Sequence, residues 1–110
     1  MPFTALFLAH APDADPEKHR SVLDTGLYKL FTVIVPDHEQ ALQVCRQMVA
    51  EEGVSSVLLC PGHTHADVAA IAAAVGGQVS VSVARGDSPS MRIAVKAMEE
   101  AGWFAAQHGA

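Results

Sequence analysis

The chain has 110 residues, half of them hydrophobic, and a formal net charge of -5, which describes one domain with a modest core. Its seven Lys and Arg residues are scattered, so the basic face that nucleic acid needs is missing. No apolar run reaches the roughly 18 residues of a membrane span, the opening MPFTALFLAHAPDAD lacks the basic flank of a secretion signal, and two cysteines make no disulfide framework, so the cytoplasm is the expected setting.

Phe3–Ala9, rich in Phe and Leu, reads as a strand that runs into His10. Asp15-Pro16-Glu17 then offers a capping residue followed by a first-turn proline. This predicts a short helix over 16–24, with Gly26 as its stop. LYKLFTVIVP, residues 27–36, is the second strand. Its segment Phe31–Val35 is almost wholly apolar and largely β-branched, as in a strand covered on both faces. Asp37 stands three residues before Gln40 as a capping pair. Leu42, Val44, Cys45, Met48 and Val49 share one face of a helix over 38–52, which Gly53 closes.

Val54–Cys60 is the third strand. Thr64–Val75 is an alanine-rich helix with Val68, Ile71, Ala72 and Val75 facing inward, and Gly76-Gly77 ends it. QVSVSVAR, residues 78–85, alternates valine with small polar residues and predicts a half-exposed strand near an edge. Ser88-Pro89 starts a last helix over 89–106. Met91, Ala94, Val95 and Met98 lie on one face of it, with Ile93 and Trp103 elsewhere. That second apolar surface, with a charged fraction of only 17%, makes a homodimer the expected assembly.

The alternation predicts an α/β fold: a small, mostly parallel sheet of about four strands covered by helices, Rossmann-like or half-barrel-like. The open sheet is preferred, because half a barrel needs a second half. Ligands of parallel sheets bind beyond the carboxyl ends of the strands. If the strands are parallel, that end gathers His10, Pro36-Asp37-His38, Cys60–His65 and Arg85–Asp87.

Three chemistries compete for this end. Cys60, His63 and His65 are zinc-ligand types, and His10 could add a fourth, but Cys-x-x-His-x-His is a weak spacing and no metal is assigned. Cys60 precedes a helix start, whose dipole and free N–H groups favour a thiolate, with His63 or His10 as base. The bland alternative is a thiol that fills the end of a strand; Cys45, on the apolar face of its helix, is read as core. In the third chemistry, Gly62 admits a small anion close to the backbone, Thr64 and the N–H groups of residues 65–67 face it, and Arg85 clamps it. Asp67 competes with that anion as half of a capping box. There is no Walker loop and no dinucleotide fingerprint. His19 and Arg20 read as solvated unless their link folds back towards the cleft, and His108 reads as exposed.

The runs ADPEKHRSVLDTG (14–26), VPDHEQALQVCRQMVAEEGV (35–54) and VGGQVSVSVAR (75–85) resemble a family of small, uncharacterised bacterial α/β proteins, a domain of unknown function. The resemblance rests on an Asp-Pro-x-x-His-Arg segment, here Asp15, Pro16, His19 and Arg20. It rests also on a Gly-Gly-x-Val pattern with an Arg at the end of the strand, here Gly76, Gly77, Val79 and Arg85. It covers residues 3 to 86 and implies no reaction, substrate or cofactor. It does imply weight on His19, Arg20 and Arg85. The family's Cys-Gly-Gly-like turn is matched by Cys60 and Gly62, whereas His63 and His65 depart from it, so no shared metal role is implied.

The expected function is binding of a small molecule, a small anion or carboxylate, through Gly62, Thr64, Arg85, Arg20 and His19. The alternatives are a small enzyme using Cys60, His63 or His10 for covalent or acid–base chemistry, and an assembly protein without a pocket. Binding ranks first because no set of residues shows a recognisable catalytic spacing.

Overall fold

In the computed structural model, which describes residues 1–107, β1 (Phe3–His10) is the central strand of a five-stranded sheet. The others are β2 (Arg20–Asp24), β3 (Tyr28–Val35), β4 (Ser56–Leu59) and β5 (Ser80–Val83), in the order β2-β3-β1-β4-β5. β3, β1, β4 and β5 are parallel, and β2 pairs antiparallel with β3. The helices are α1 (His38–Glu52), α2 (His65–Val75), α3 (Ser88–Ala101) and α4 (Trp103–Gln107). The architecture is α/β with an open, mostly parallel sheet. Among the described residues no helix is long and apolar enough to cross a membrane.

Two expected elements differ. The helix expected over 16–24 is a single turn followed by a strand. Asp15 does act as a cap, since its Oδ1 accepts from the Glu17 N–H at 3.0 Å, and its carbonyl accepts from the N–H groups of Lys18 and His19. The turn stops there because Arg20–Asp24 pairs along β3 instead. Gly26, at φ 100°, belongs to the β2–β3 hairpin and not to a helix stop. Capping, proline and glycine signals thus mark a turn as readily as a helix. The helix expected over 89–106 is broken at Gly102, whose φ of 90° ends α3 and turns the chain into α4. His108 lies outside the described residues.

The core occupies one face of the sheet. Strand partners in register point to the same side, so Leu6 and Leu8 of β1 align with Phe31 and Val33 of β3 and with Val57 and Leu59 of β4. Except for the half-buried Phe31, these side chains are fully enclosed. Val44, Cys45 and Met48 of α1 and Ile71 of α2 pack on them. Burial at about 1.5–3 kcal/mol per large aliphatic side chain makes this face the main source of stability. Caps hold the helices at their strand ends: Asp37 Oδ1 accepts from the Gln40 N–H at 2.8 Å, and Gly53, at φ 70°, ends α1.

The opposite face carries Phe3, Ala5, Phe7 and Ala9 of β1 beside Tyr28, Leu30 and Thr32 of β3 and Ser56 and Leu58 of β4. Phe3 is 52% exposed, Leu58 42% and Tyr28 39%. A doubly wound sheet connects its first two parallel strands with a helix on this side. Here that connection is a turn and an antiparallel strand, which extends the sheet sideways and leaves the face open.

Candidate functional site

All four parallel strands end on the same side, and their ends carry His10, Pro36, Cys60 and Ala84. His10 Nε2 donates to the Pro36 carbonyl at 2.9 Å; a carbonyl only accepts, so Nε2 carries the hydrogen. This bond ties the end of β1 to the end of β3. The imidazole also meets Trp103 of α4 edge-on, with ring centres 6.3 Å apart.

Cys60 and His63 form a local pair. His63 Nδ1 lies 3.7 Å from Cys60 Sγ and 3.2 Å from the Cys60 carbonyl. The carbonyl again requires a hydrogen on Nδ1, so the imidazole donates towards the sulfur. Burial alone pushes the Cys60 thiol up. The His63 hydrogen bond outweighs it, together with backbone groups at Gly62 and His10 and the His63 charge, and the thiol is held below its ordinary value of 9.0. His63 moves the opposite way: its bond to Cys60 lifts it above 6.5 against the cost of burial, helped by the Cys60 carbonyl and the Cys60 and Asp67 charges. The pair is therefore biased towards thiolate and imidazolium, and neutral His63 offers Nε2 rather than Nδ1 for taking a proton. Cys45 is the contrast, its thiol pushed up to about 12 by burial in the core.

The start of α2 is capped by its own side chains. Thr64 Oγ1 accepts from the Asp67 N–H at 3.1 Å, and Asp67 Oδ2 accepts from the Thr64 N–H at 3.0 Å, a complete capping box. The Thr64 N–H is the first reason that the Asp67 carboxyl sits below its ordinary value, followed, against burial, by the Thr64 hydroxyl and by His38 and His63. Asp67 Oδ1 lies 3.4 Å from His38 Nδ1 at the start of α1. That imidazole nitrogen is enclosed and makes no aligned hydrogen bond, so the contact counts as a charge contact. His65 is exposed on the outer side of the helix start.

Two cavities open here and share His10 and Gly62. The smaller, about 120 Å³, is polar, with Asp37, His38, His63 and Asp67 around it. The larger, about 470 Å³, is apolar, with Cys60 on its floor and Met91, Ala94, Met98, Trp103 and Phe104 forming its roof. Gly86 lies beneath Met91: a Cβ there would stand 3.0 Å from Met91 Cγ and 3.2 Å from its Sδ, so the Met91 side chain would have to give by a few tenths of an ångström, and 3.5 Å from Pro61 Cβ, an ordinary contact. At Gly62 a Cβ would meet Cys60 Sγ at 3.5 Å and His10 Cβ at 3.9 Å, ordinary contacts. The space at Gly62 is therefore real but not obligatory for the fold.

Of the residues singled out from sequence, Cys60, Gly62, His63 and His10 come together, with Thr64 at their edge. Arg85 does not line either cavity; its Nε is held 2.9 Å from Asp87 Oδ1 in an exposed pair. That pair also occupies the carboxylate of Asp87, which caps α3 by position without a side-chain bond. His19 and Arg20 brace the turn before β2. His19 Nδ1 accepts from the Asp15 N–H at 2.9 Å, and Arg20 Nε donates to the Pro16 carbonyl at 2.7 Å. β2 is the outermost strand, two positions from β1, which sets this pair to one side of the cleft. Among the described residues no three His, Cys, Asp or Glu side chains converge as metal ligands would.

Sequence reasoning placed His38 and Gly86 at this end of the sheet, within Pro36-Asp37-His38 and Arg85–Asp87, but gave them no role, and it did not pair His38 with Asp67 or bring Trp103 and Phe104 to the cleft. The roof was not legible, because it depends on the direction that the chain takes after Gly102.

Fold and site together describe a small α/β protein with a half-polar, half-apolar cleft beyond the carboxyl ends of its parallel strands. The chain belongs to the family of unknown function DUF6506, whose family model matches residues 3–99. No curated protein and no solved structure matches it.

Proposed function

We propose that this protein binds a small molecule with an apolar body and a small anionic head, such as a carboxylate. The observation that carries the reading is the pairing of the two cavities across His10 and Gly62: apolar walls on one side, imidazoles on the other. The body lies under Trp103 and Met98, and the head faces His63, whose proton affinity is raised. The anion is held by imidazole rather than by Arg85, which lines neither cavity, and the capping box leaves it fewer α2 N–H groups, since it takes that of Asp67. A reducing cytoplasm suits such a cleft, since Cys60 and Cys45 are both free thiols.

The test uses Trp103, the chain's single tryptophan. Titration with hexanoate should give a saturable change in its emission that weakens as pH rises through the His63 titration. Hexanol should bind more weakly. Equal responses to both would remove the anionic head, and no saturable response to either would remove the pocket.

A second reading is favoured by the Cys60–His63 contact alone: covalent capture of an aldehyde. The Cys60 thiolate would add to the carbonyl carbon, forming a C–S bond while the C=O π pair moves to oxygen, which takes a proton from His63 or water. Mass spectrometry after borohydride treatment would not trap this hemithioacetal, so the readout is protection of Cys60 from alkylation by the aldehyde. Unchanged alkylation would sink it.

A further inference from the structure

The open face of the sheet carries the next inference, independent of the cleft. Its residues can be read from the strand register. One row crosses the sheet as Leu23, Leu30, Ala5, Ser56 and Ser80; the next as Ser21, Thr32, Phe7, Leu58 and Ser82. Phe3 and Tyr28 stand beyond the first row, stacked with ring centres 5.6 Å apart. None of these twelve residues is charged, in a chain with twelve acidic and seven basic residues. Exposed apolar side chains are ordinary when scattered, but a contiguous field of them marks a contact surface.

The face is also uneven in a particular way. Its β2–β3 half is bulky, with Leu23, Leu30 and the Phe3–Tyr28 stack. Its β4–β5 half is lower, with Ser56, Ser80 and Ser82, and Leu58 alone stands above them. Between them, Ala5 is the floor of a trough of about 410 Å³ walled by Phe3, Phe7, Tyr28, Leu30 and Leu58. A surface that holds both a ridge and a hollow can complement itself. A two-fold axis lying between two sheets and along their strands sets the bulky half of each copy on the low half of the other. Sheets packed this way lie about 10 Å apart with their strands nearly aligned.

Charge and area favour the same occupant. Two copies each carrying a net charge of -5 repel through most of their surfaces, and an uncharged face is where they can meet without desolvating an ion. Five strands about 4.8 Å apart, with roughly six residues at 3.3 Å each, present a footprint on the order of 500 Å², and side-chain relief brings this towards the roughly 800 Å² per partner of a stable interface.

We propose that the protein is a homodimer in which the open sheet face, and not the outer surface of α3, packs against the same face of a second copy. The two clefts then remain at the carboxyl ends of their own strands, clear of the interface.

Sedimentation equilibrium on the full chain tests this at micromolar concentration. The wild type should show twice its 11.6 kDa chain mass. Leu58→Glu should halve the mass, because Leu58 is 42% exposed and a charge there is tolerated by the single copy but not in a sealed face. Ser82→Arg, at an exposed position of the low half, should do the same by filling the hollow. Ile93→Glu, 76% exposed on α3, should leave the dimer intact. Far-UV circular dichroism matching the wild type makes each variant readable. A monomeric wild type would overturn the proposal and leave the face to a different chain. A dimer that resists both sheet variants but dissociates with Ile93→Glu would overturn it in favour of the helix.

Discussion

The two faces of the sheet are built from the same strands and differ in what the connections lay over them. On one, Leu8, Val33 and Leu59 are sealed under α1 and α2. On the other, Phe3, Tyr28 and Leu58 remain between 39% and 52% exposed, because the connection from β1 to β3 passes through β2 instead of a helix. Apolar strand residues therefore mean two things in this molecule: cohesion on the covered face and, under the dimer proposal, recognition on the open one. The cleft lies at the rim where the faces meet, which is why it is polar towards α1 and α2 and apolar towards α3 and α4.

The sharpest way to break this comparison is to truncate one residue on each face. Leu8→Ala should cost about 2–5 kcal/mol in urea denaturation, the range for a buried leucine whose cavity cannot collapse. Leu58→Ala, read at a concentration low enough to keep the protein monomeric, should stay within about 1 kcal/mol. Equal losses would mean that the open face is covered within one chain.

Thr64→Ala comes next, expected at about 0.5–2 kcal/mol, because it removes the cap that fastens α2 over the covered face. Its partner adds a pH dependence. The folded Asp67 carboxyl sits below its ordinary 3.8, so its contribution is present at pH above that value and is lost as pH falls through the lower, folded one. Asp67→Asn should flatten this acid limb of the stability curve while barely changing its shape near pH 9.

The two cysteines sharpen the contrast chemically. Cys45, on the covered face, should resist iodoacetamide until the protein unfolds. Cys60, at the rim, should alkylate with a pH midpoint below 9.0, and His63→Gln should raise that midpoint, because it removes the imidazolium that stabilises the thiolate. A midpoint unchanged in His63→Gln would detach the pair. The smallest effect on stability is expected for Gly62→Ala, within about 0.5 kcal/mol, since a Cβ there meets only ordinary contacts. Its methyl group narrows the passage between the cavities, so the Trp103 response to hexanoate should fall. A strong loss of stability instead would make Gly62 a folding residue.

Much of this was legible in the chain. The helix expected over 38–52 is α1 to the residue, because Asp37, the spacing of Val44, Cys45 and Met48, and Gly53 all point to one answer. The turn Cys60-Pro61-Gly62-His63 was placed correctly for the same reason, between an apolar run and a Thr64 cap. Residues 16–24 misled because Asp15, Pro16 and Gly26 are equally good turn signals, and pairing with β3 decided between them. The partner of Arg85 was not legible either: its Nε pairs with Asp87 in an exposed contact, and it lines neither cavity.

Local chemistry thus determined the alternation of strands and helices, the caps, and the side chains that stand beyond each strand, since all of these depend on neighbours within a few positions. Tertiary structure alone decided that β2 joins an edge, that α4 turns back to roof Cys60, and that one apolar face is left open. Those outcomes depend on which distant segments compete for the same surface, and strands of similar apolar content do not encode by themselves which of their two faces a helix will reach.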